Sequence, residues 1–291
     1  NNENIKISTV TDNDNEFTND FTNNSYCYFP SDRYELPYWI NKDTIQQFEK
    51  FKEHTNFAGR LNKEILVRTS LSEIKQWILD VFLDSRTNLI FNEDNSIHAQ
   101  SPIQNIQLLQ TGIHNIETIL SKILQREISI NLNLRSSGQS RIKIVDRETN
   151  QDYIPSLDNL SAGQSSLLSI FITIIMHSDQ NDVNKSIKIQ DIEGIVIIDE
   201  IDLHLHIELQ HEVLPELIKI FPKVQFVIST HSPFFLAGMS KTFQSDEYLM
   251  LNMPNGNLLT NSDDFEEFSS VYNIFNNLTD TYKKELDQLK E

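Results

Sequence analysis

Two hydrophobic periods run along this chain and divide it into segments. From residue 43 to about 124 the apolar positions recur at helical spacing. Ile74, Trp77, Ile78, Val81 and Phe82 share one stripe, and Ile106, Leu109, Ile116, Leu120 and Ile123 mark another. On either side the pattern tightens. Tyr26-Cys27-Tyr28-Phe29 reads as a strand stopped by Pro30. Ile128, Ile130, Leu132 and Leu134 alternate with polar residues, which predicts a half-buried strand. Arg141–Val145 returns after the turn Ser136-Ser137-Gly138-Gln139. Ile195–Ile198 is an unbroken apolar run of the kind a parallel sheet buries on both faces, and Val224–Ile228, interrupted only by Gln225, reads as another buried strand. An apolar helix follows Gln164, and a second over 208–220 packs through Leu209, Val213, Leu217 and Phe221, with Pro215 kinking or tightening it. Pro254-Asn255-Gly256-Asn257 predicts a hairpin between Glu247–Met253 and Leu258–Thr260. The first 24 residues are polar, with one strand-like run, Ile5–Val10, and read as a hairpin arm or an exposed connection; 263–291 are polar, acidic and expected to be helical. Strands alternating with helices give an α/β fold.

Composition narrows the classes. At 291 residues there is room for one large domain or two modest ones. With 42 acids against 24 bases the net charge is −18, so the surface as a whole repels nucleic acid and anionic lipid. One cysteine, Cys27, excludes an intrachain disulfide framework and fits a reducing cytoplasm. The longest apolar run, Leu167–Met176, is too short to span a bilayer, so no membrane partner is expected. The tryptophans and the stretch Phe48–Phe57 read as core.

The candidate chemistry sits at strand ends. Asp199 and Glu200 directly follow Ile195–Ile198, where α/β sheets place their ligands. An aspartate there can hold Mg²⁺ through water, and the adjacent glutamate can orient or deprotonate an attacking water. The alternative is a strand ending in two solvated acids. Ser161 and Gln164 form an S-x-x-Q capping box before the apolar helix, and a helix N-terminus also offers N–H groups to an anion. His231 follows the second apolar run; the alternatives are a phosphate contact and a hydrogen-bonded histidine in a turn before Pro233. His204 and His206 alternate too closely to share a helical face, which argues against a metal site with Asp202.

Taken together, these stretches resemble ABC-type ATPases. Leu160-Ser161-Ala162-Gly163-Gln164 is similar to their signature motif, Ile195–Glu200 to their Walker B strand, Ile201-Asp202-Leu203 to their D-loop, and His231 to their switch histidine. The phrasing looks most like the bacterial AAA-type branch that includes the ATPases of OLD and Septu-like anti-phage systems and is related to the heads of SMC and RecF proteins. The resemblance covers about residues 125–240. It implies an ABC-ATPase head: a mostly parallel sheet lobe, a helical lobe and a β-hairpin. The segments fall at 1–42 (rest of the N-terminal sheet lobe), 43–165 (helical lobe and hairpin), 166–262 (α/β core) and 263–291 (helical tail).

The resemblance also implies roles. Asp199 would serve Mg²⁺, Glu200 the attacking water, and His231 the γ-phosphate. Ser161, Ala162, Gly163 and Gln164 would contact ATP held by an opposing subunit, with Gly163 letting phosphate approach the backbone, and Asp202 would link the two sites. It implies a homodimer that hydrolyses ATP to gate an effector such as a nuclease, in anti-phage defence. Arg33, after the first strand, is a weaker candidate beside the reading of a surface arginine in a loop. One part is missing: none of the seven glycines lies in a G-x-x-x-x-G-K-[ST] phosphate loop, and Gly59-Arg60-Leu61-Asn62-Lys63 is not one. The expectation is a chain lacking its Walker A segment and inactive by itself. The alternative is a non-hydrolysing scaffold that keeps the fold without that loop.

Overall fold

The computed structural model describes residues 14–31, 33, 65–67, 71–87, 89–91, 97–99, 103–132, 141–179 and 187–259. Ile5–Val10, Phe48–Phe57, Trp39, Leu134, Arg135 and 263–291 lie outside them. The described chain divides into two compact units.

The first unit is built on a three-stranded sheet of β1 (Ser25–Phe29), β7 (Gly194–Ile198) and β8 (Val224–Ile228), in the order β1-β7-β8. β1 and β7 run parallel, with Cys27 opposite Val196 and Phe29 opposite Ile198. Residues 65–67 add a short bridge on the outer side of β1, where Tyr28 N donates to Ile65 O and Val67 N to Tyr28 O. The last turns of α4 (Ala162–Ser178) cover one face. There Ser25 Oγ donates to Ile174 O at 2.5 Å, and Cys27 Sγ lies 3.2 Å from His177 Nδ1. Gly194 is required where the two strands start: a β-carbon on it would lie 1.8 Å from Ser25 O, and its φ is +146°.

The opposite face corrects the expectation drawn from the apolar run. Val196 and Ile198 are buried, but Ile195 and Ile197 are 41% and 42% exposed, and Val227 is 49% exposed. β-Branched runs suit burial on both faces, yet burial itself depends on what packs against the strand. Here a helix covers one side only among the described residues.

The first unit also holds α1 (Asp14–Asn23), α2 (Leu71–Thr87) and the hairpin of β2 (Leu89–Phe91) with β3 (Ile97–Ala99). α1 was not foreseen. Its Asn-rich sequence has weak helix propensity, but Asn23 Nδ2 donates to Asn19 O, and Phe21 stacks on Tyr26 with ring centroids 4.1 Å apart. The Tyr26 hydroxyl donates to Asp20; burial first, then this bond, pushes its pKa up to about 12. α2 buries Ile74, Ile78 and Phe82 as the stripe predicts, whereas Trp77 is only half-buried. Arg33 is buried, contrary to a surface loop arginine, and its Nη1 donates to Pro30 O at 3.0 Å.

The second unit takes in the C-terminal end of α3 (Ile103–Leu124) and the first turns of α4. It also holds the antiparallel sheet of β4 (Ile128–Leu132), β5 (Ile142–Asp146) and β6 (Asp152–Ile154). Glu117 of α3 accepts from Ile130 N and from Arg147, tying that helix to the sheet. β6 was not anticipated. Asp146 forms the turn that leads to it by accepting from Glu148 N and Thr149 N, and the Thr149 bond first of all lowers its pKa.

The expected helix over 208–220 is two segments: a π-helical turn, Leu209–Val213, then α5 (Leu214–Lys219) with Pro215 in its first turn. Leu214, just before it, is itself helical and its N donates to Leu209 O across the widened turn, so the proline directly follows the π turn. α6 (Pro233–Thr242) packs directly on the π turn: a β-carbon on Gly238 would sit 2.2 Å from His211 O. The predicted hairpin follows as β9 (Met250–Asn252) and β10 (Asn257–Leu259). Leu251 and Leu258 are cross-strand partners on it, and both are exposed, as are Leu249 and Met253.

Candidate functional site

Because β7 and β8 are neighbours, the loops that leave their carboxyl ends run side by side. Asp199 and Glu200 open the first loop; Ser229, Thr230 and His231 open the second. A ladder of hydrogen bonds joins them. Ser229 Oγ donates to Asp199 Oδ1 at 2.5 Å, Glu200 N donates to Ser229 Oγ at 2.8 Å, and Ile201 N donates to Ser229 O at 3.2 Å. Further along, Thr230 Oγ1 donates to Asp202 Oδ1 at 2.5 Å, and His231 N reaches the same oxygen at 3.3 Å. The serine thus fixes the orientation of the Asp199 carboxylate. It was visible only as one hydroxyl in the S-T-H-S run beside the histidine.

Glu200 has φ of +46°, a left-handed backbone that costs a glutamate of order 1–3 kcal/mol. The surrounding turn over-determines it: its N–H is held by Ser229, and its carbonyl accepts from Leu203 N at 3.1 Å. Strain held in this way aims the side chain at a chosen direction. His231 is exposed, and its imidazole makes no hydrogen bond among the described residues. Asp202 holds the His231 turn within its own chain, a role that the D-loop resemblance did not suggest.

The signature stretch forms the start of α4. Gln164 N donates to Ser161 Oγ at 3.2 Å, and Ser161 N donates to Gln164 Oε1 at 2.9 Å, so the capping box exists as predicted. Ser161 and Ala162 are exposed, and the first-turn N–H groups of Ala162 and Gly163 have no partner within the helix. Gly163 itself is buried. Its β-carbon would lie 3.0 Å from His204 O and 3.1 Å from a Leu209 methyl, so close packing on the Asp202–Leu209 segment is a sufficient reason for glycine there.

The donor set suits Mg²⁺ better than zinc. Magnesium needs only one or two protein carboxylates and keeps its waters, and Asp199 is a carboxylate that could serve as one. Among the described residues no three His, Cys, Asp or Glu side chains gather around a common point. His204 and His206 therefore form no cage with Asp202, whose Oδ1 is taken by Thr230 and His231. No described helix is long and apolar enough to cross a membrane.

Residues 6–237 match the family described as "AAA domain, putative AbiEii toxin, Type IV TA system". The chain belongs to that family. This agrees with the ABC-type resemblance carried by L-S-A-G-Q and I-V-I-I-D-E. Among curated relatives, "Retron Vc95 probable ATPase" of Vibrio cholerae serotype O1 biovar El Tor is 30% identical over 223 residues, covering 72% of this chain and 37% of that protein. "Retron Ec83 probable ATPase" of Escherichia coli is 41% identical over 78 residues, 27% of this chain and 14% of that protein. "Septu protein PtuA" of Bacillus mycoides (strain KBAB4) is 39% identical over 83 residues, 28% of this chain and 11% of its own. The chain therefore spans little more than a third of the retron relative's length, and less of the others. Among solved structures, an SmcHead bound to the C-winged helix domain of ScpA overlaps 60% of this chain and 52% of its own, at TM-score 0.33 and 14% identity. That likeness is too distant to bear on the site.

Proposed function

We propose that this AAA-domain chain is the ATP-hydrolysing module of a bacterial defence ATPase that acts as a dimer and gates an effector protein such as a nuclease. The observation that carries this reading is the ladder at the ends of β7 and β8, which brings Asp199, Glu200 and His231 to neighbouring loops. Family membership and the names of the two retron relatives support the ATPase activity. The Septu relative and the family resemblance support a place in anti-phage defence.

Within this proposal Asp199, oriented by Ser229, would hold Mg²⁺ through its water shell, and the ion would supply charge neutralisation at the phosphates. Glu200 orients the attacking water and takes its proton. His231, aimed by the Asp202 contacts to its backbone and to Thr230, donates to the γ-phosphoryl oxygens. The α4 start of a second subunit, with Ser161, Ala162, Gly163 and Gln164, presents N–H groups and the positive end of a helix to the same phosphate. Catalysis of this kind is chiefly positioning and charge stabilisation, so a site whose two loops are tied together by hydrogen bonds is suited to it.

A second reading, a scaffold that binds without hydrolysing, rests on one observation: no phosphate-loop sequence occurs in the 291 residues. Glu200→Gln in the intact protein separates the two. On the leading reading ATP binding and dimerisation persist while turnover falls about 10²–10⁴-fold, the usual loss for a missing general base. Steady-state ATP turnover together with sedimentation is the measurement; unchanged turnover removes Glu200 from the mechanism.

A further inference from the structure

The ladder between the two loops does not stop at Asp202. Beyond His231, Ser232 is buried and caps α6 by accepting from Phe235 N at 3.2 Å. Its amide donates to Thr230 Oγ1 at 3.0 Å, which joins it to the Asp202 rung. Its hydroxyl donates to Gln210 Oε1 in the π turn. Gln210 Nε2 in turn donates to Leu205 O at 2.7 Å, in the loop that carries Asp202. The carboxamide has one orientation that satisfies both neighbours. The Leu205 carbonyl only accepts, so the nitrogen must face it and the oxygen must face Ser232.

We propose that Gln210 is a positioning residue: it closes the far end of the ladder, holding the Asp202–Leu205 loop and the His231 turn at a fixed separation. Each of the ladder's other bonds joins one loop directly to the other or lies within one loop. Gln210 bridges both from a third element, and that element is anchored independently. Gly238 of α6 lies against the His211 carbonyl, and Lys241 of α6 is paired with Glu212 at 2.7 Å. The Lys241 hydrogen bond is the largest cause that keeps the Glu212 carboxyl below its ordinary pKa. His231 is therefore held from two sides: directly by Asp202, and through Ser232 by Gln210. A π turn is a common device at functional sites, because the widened backbone redirects one side chain out of the helical register.

The catalytic half of the inference rests on the ATPase reading; the structural half does not. The experiment uses the intact protein and three forms: wild type, Gln210→Met, which keeps size and loses both bonds, and Gln210→Glu, which keeps an acceptor for Ser232 and loses the donor to Leu205. Amide hydrogen exchange without nucleotide is read first. In Gln210→Met the amides of Leu205, His231, Ser232 and Phe235 should exchange about tenfold faster, the size of one lost hydrogen bond. Gln210→Glu should restore protection at 231–235 but not at Leu205. Faster exchange confined to 207–219, or no change at 231–235, overturns the proposal. If Gln210→Met does not fold, the split pattern in Gln210→Glu decides by itself. ATP turnover is read second: kcat should fall about tenfold in Gln210→Met with KM for ATP·Mg²⁺ unchanged. Absence of turnover in wild type overturns the ATPase reading and leaves the exchange result to judge Gln210. Normal turnover with normal exchange in Gln210→Met overturns Gln210 and leaves the ATPase reading intact.

Discussion

Ser161 shows how one residue can serve a local and a remote purpose at once. Its hydroxyl caps α4 through Gln164 N, so Ser161→Ala should cost about 1 kcal/mol whether or not ATP is ever bound. Aspartate is an equally good cap, but it would set a carboxylate against the phosphate that the proposed second subunit brings. Ser161→Asp should therefore keep the wild-type urea midpoint and lose ATP-driven dimerisation and turnover, while each monomer still binds ATP. Sedimentation with and without ATP·Mg²⁺ checks this; a variant that dimerises like wild type would reduce L-S-A-G-Q to the start of a helix. Glycine is read differently at each position. At 194 it is demanded by φ and by the Ser25 carbonyl, whereas at 163 and 238 it is demanded by close neighbours, backbone and side chain together.

At the scale of elements, packing of helix against turn decides which of those glycines matters more. α6 meets the π turn so closely at Gly238 that a methyl group would overlap His211 O at 2.2 Å, and backbone cannot rotate away as a side chain can. At Gly163 the nearest contacts are 3.0 and 3.1 Å, and one of them is the end of a leucine. Gly238→Ala should accordingly cost about 3 kcal/mol and Gly163→Ala about 1 kcal/mol, the upper and lower parts of the usual range for overpacking. Urea unfolding followed by far-ultraviolet circular dichroism measures both; equal costs would mean that α6 shifts freely on the π turn. Pro215 is not the residue at which the helix over 208–220 departs from regular α geometry. The irregularity lies one turn earlier, in Leu209–Val213, and proline falls at the start of α5.

For the whole molecule, the informative feature is the half-covered sheet of the first unit. Ile198 is 1% exposed and Ile197 42% exposed, though they are adjacent in one strand. Ile198→Ala should cost about 2–5 kcal/mol, as for other buried aliphatic truncations, and Ile197→Ala about 1 kcal/mol or less in the 291-residue chain. Thermal or urea unfolding of both variants checks the ratio. A cost for Ile197→Ala that rises in a longer protein would show that further polypeptide covers this face. Matches that span 37% or less of the curated relatives make that comparison worth carrying out.

The sequence by itself determined what depends on residues close together along the chain. The S-x-x-Q cap, the stripes of α2 and α3, the alternation of β4, the hairpin turn at Pro254–Asn257 and the acid pair after β7 all rest on contacts within a few positions, and periodicity reports such contacts directly. The family was legible for the same reason, since each of its motifs is a short run. Only the tertiary structure decided the rest. Ser229 meets Asp199, Thr230 meets Asp202 and Gln210 meets Ser232 because β7 and β8 are neighbours and α6 lies on the π turn, and no local pattern encodes those adjacencies. The left-handed backbone of Glu200 belongs with them, because a strained conformation persists only where distant partners hold it. So does the exposed face of β7: hydrophobicity states what a residue favours, while burial is settled by whatever else the fold places against it.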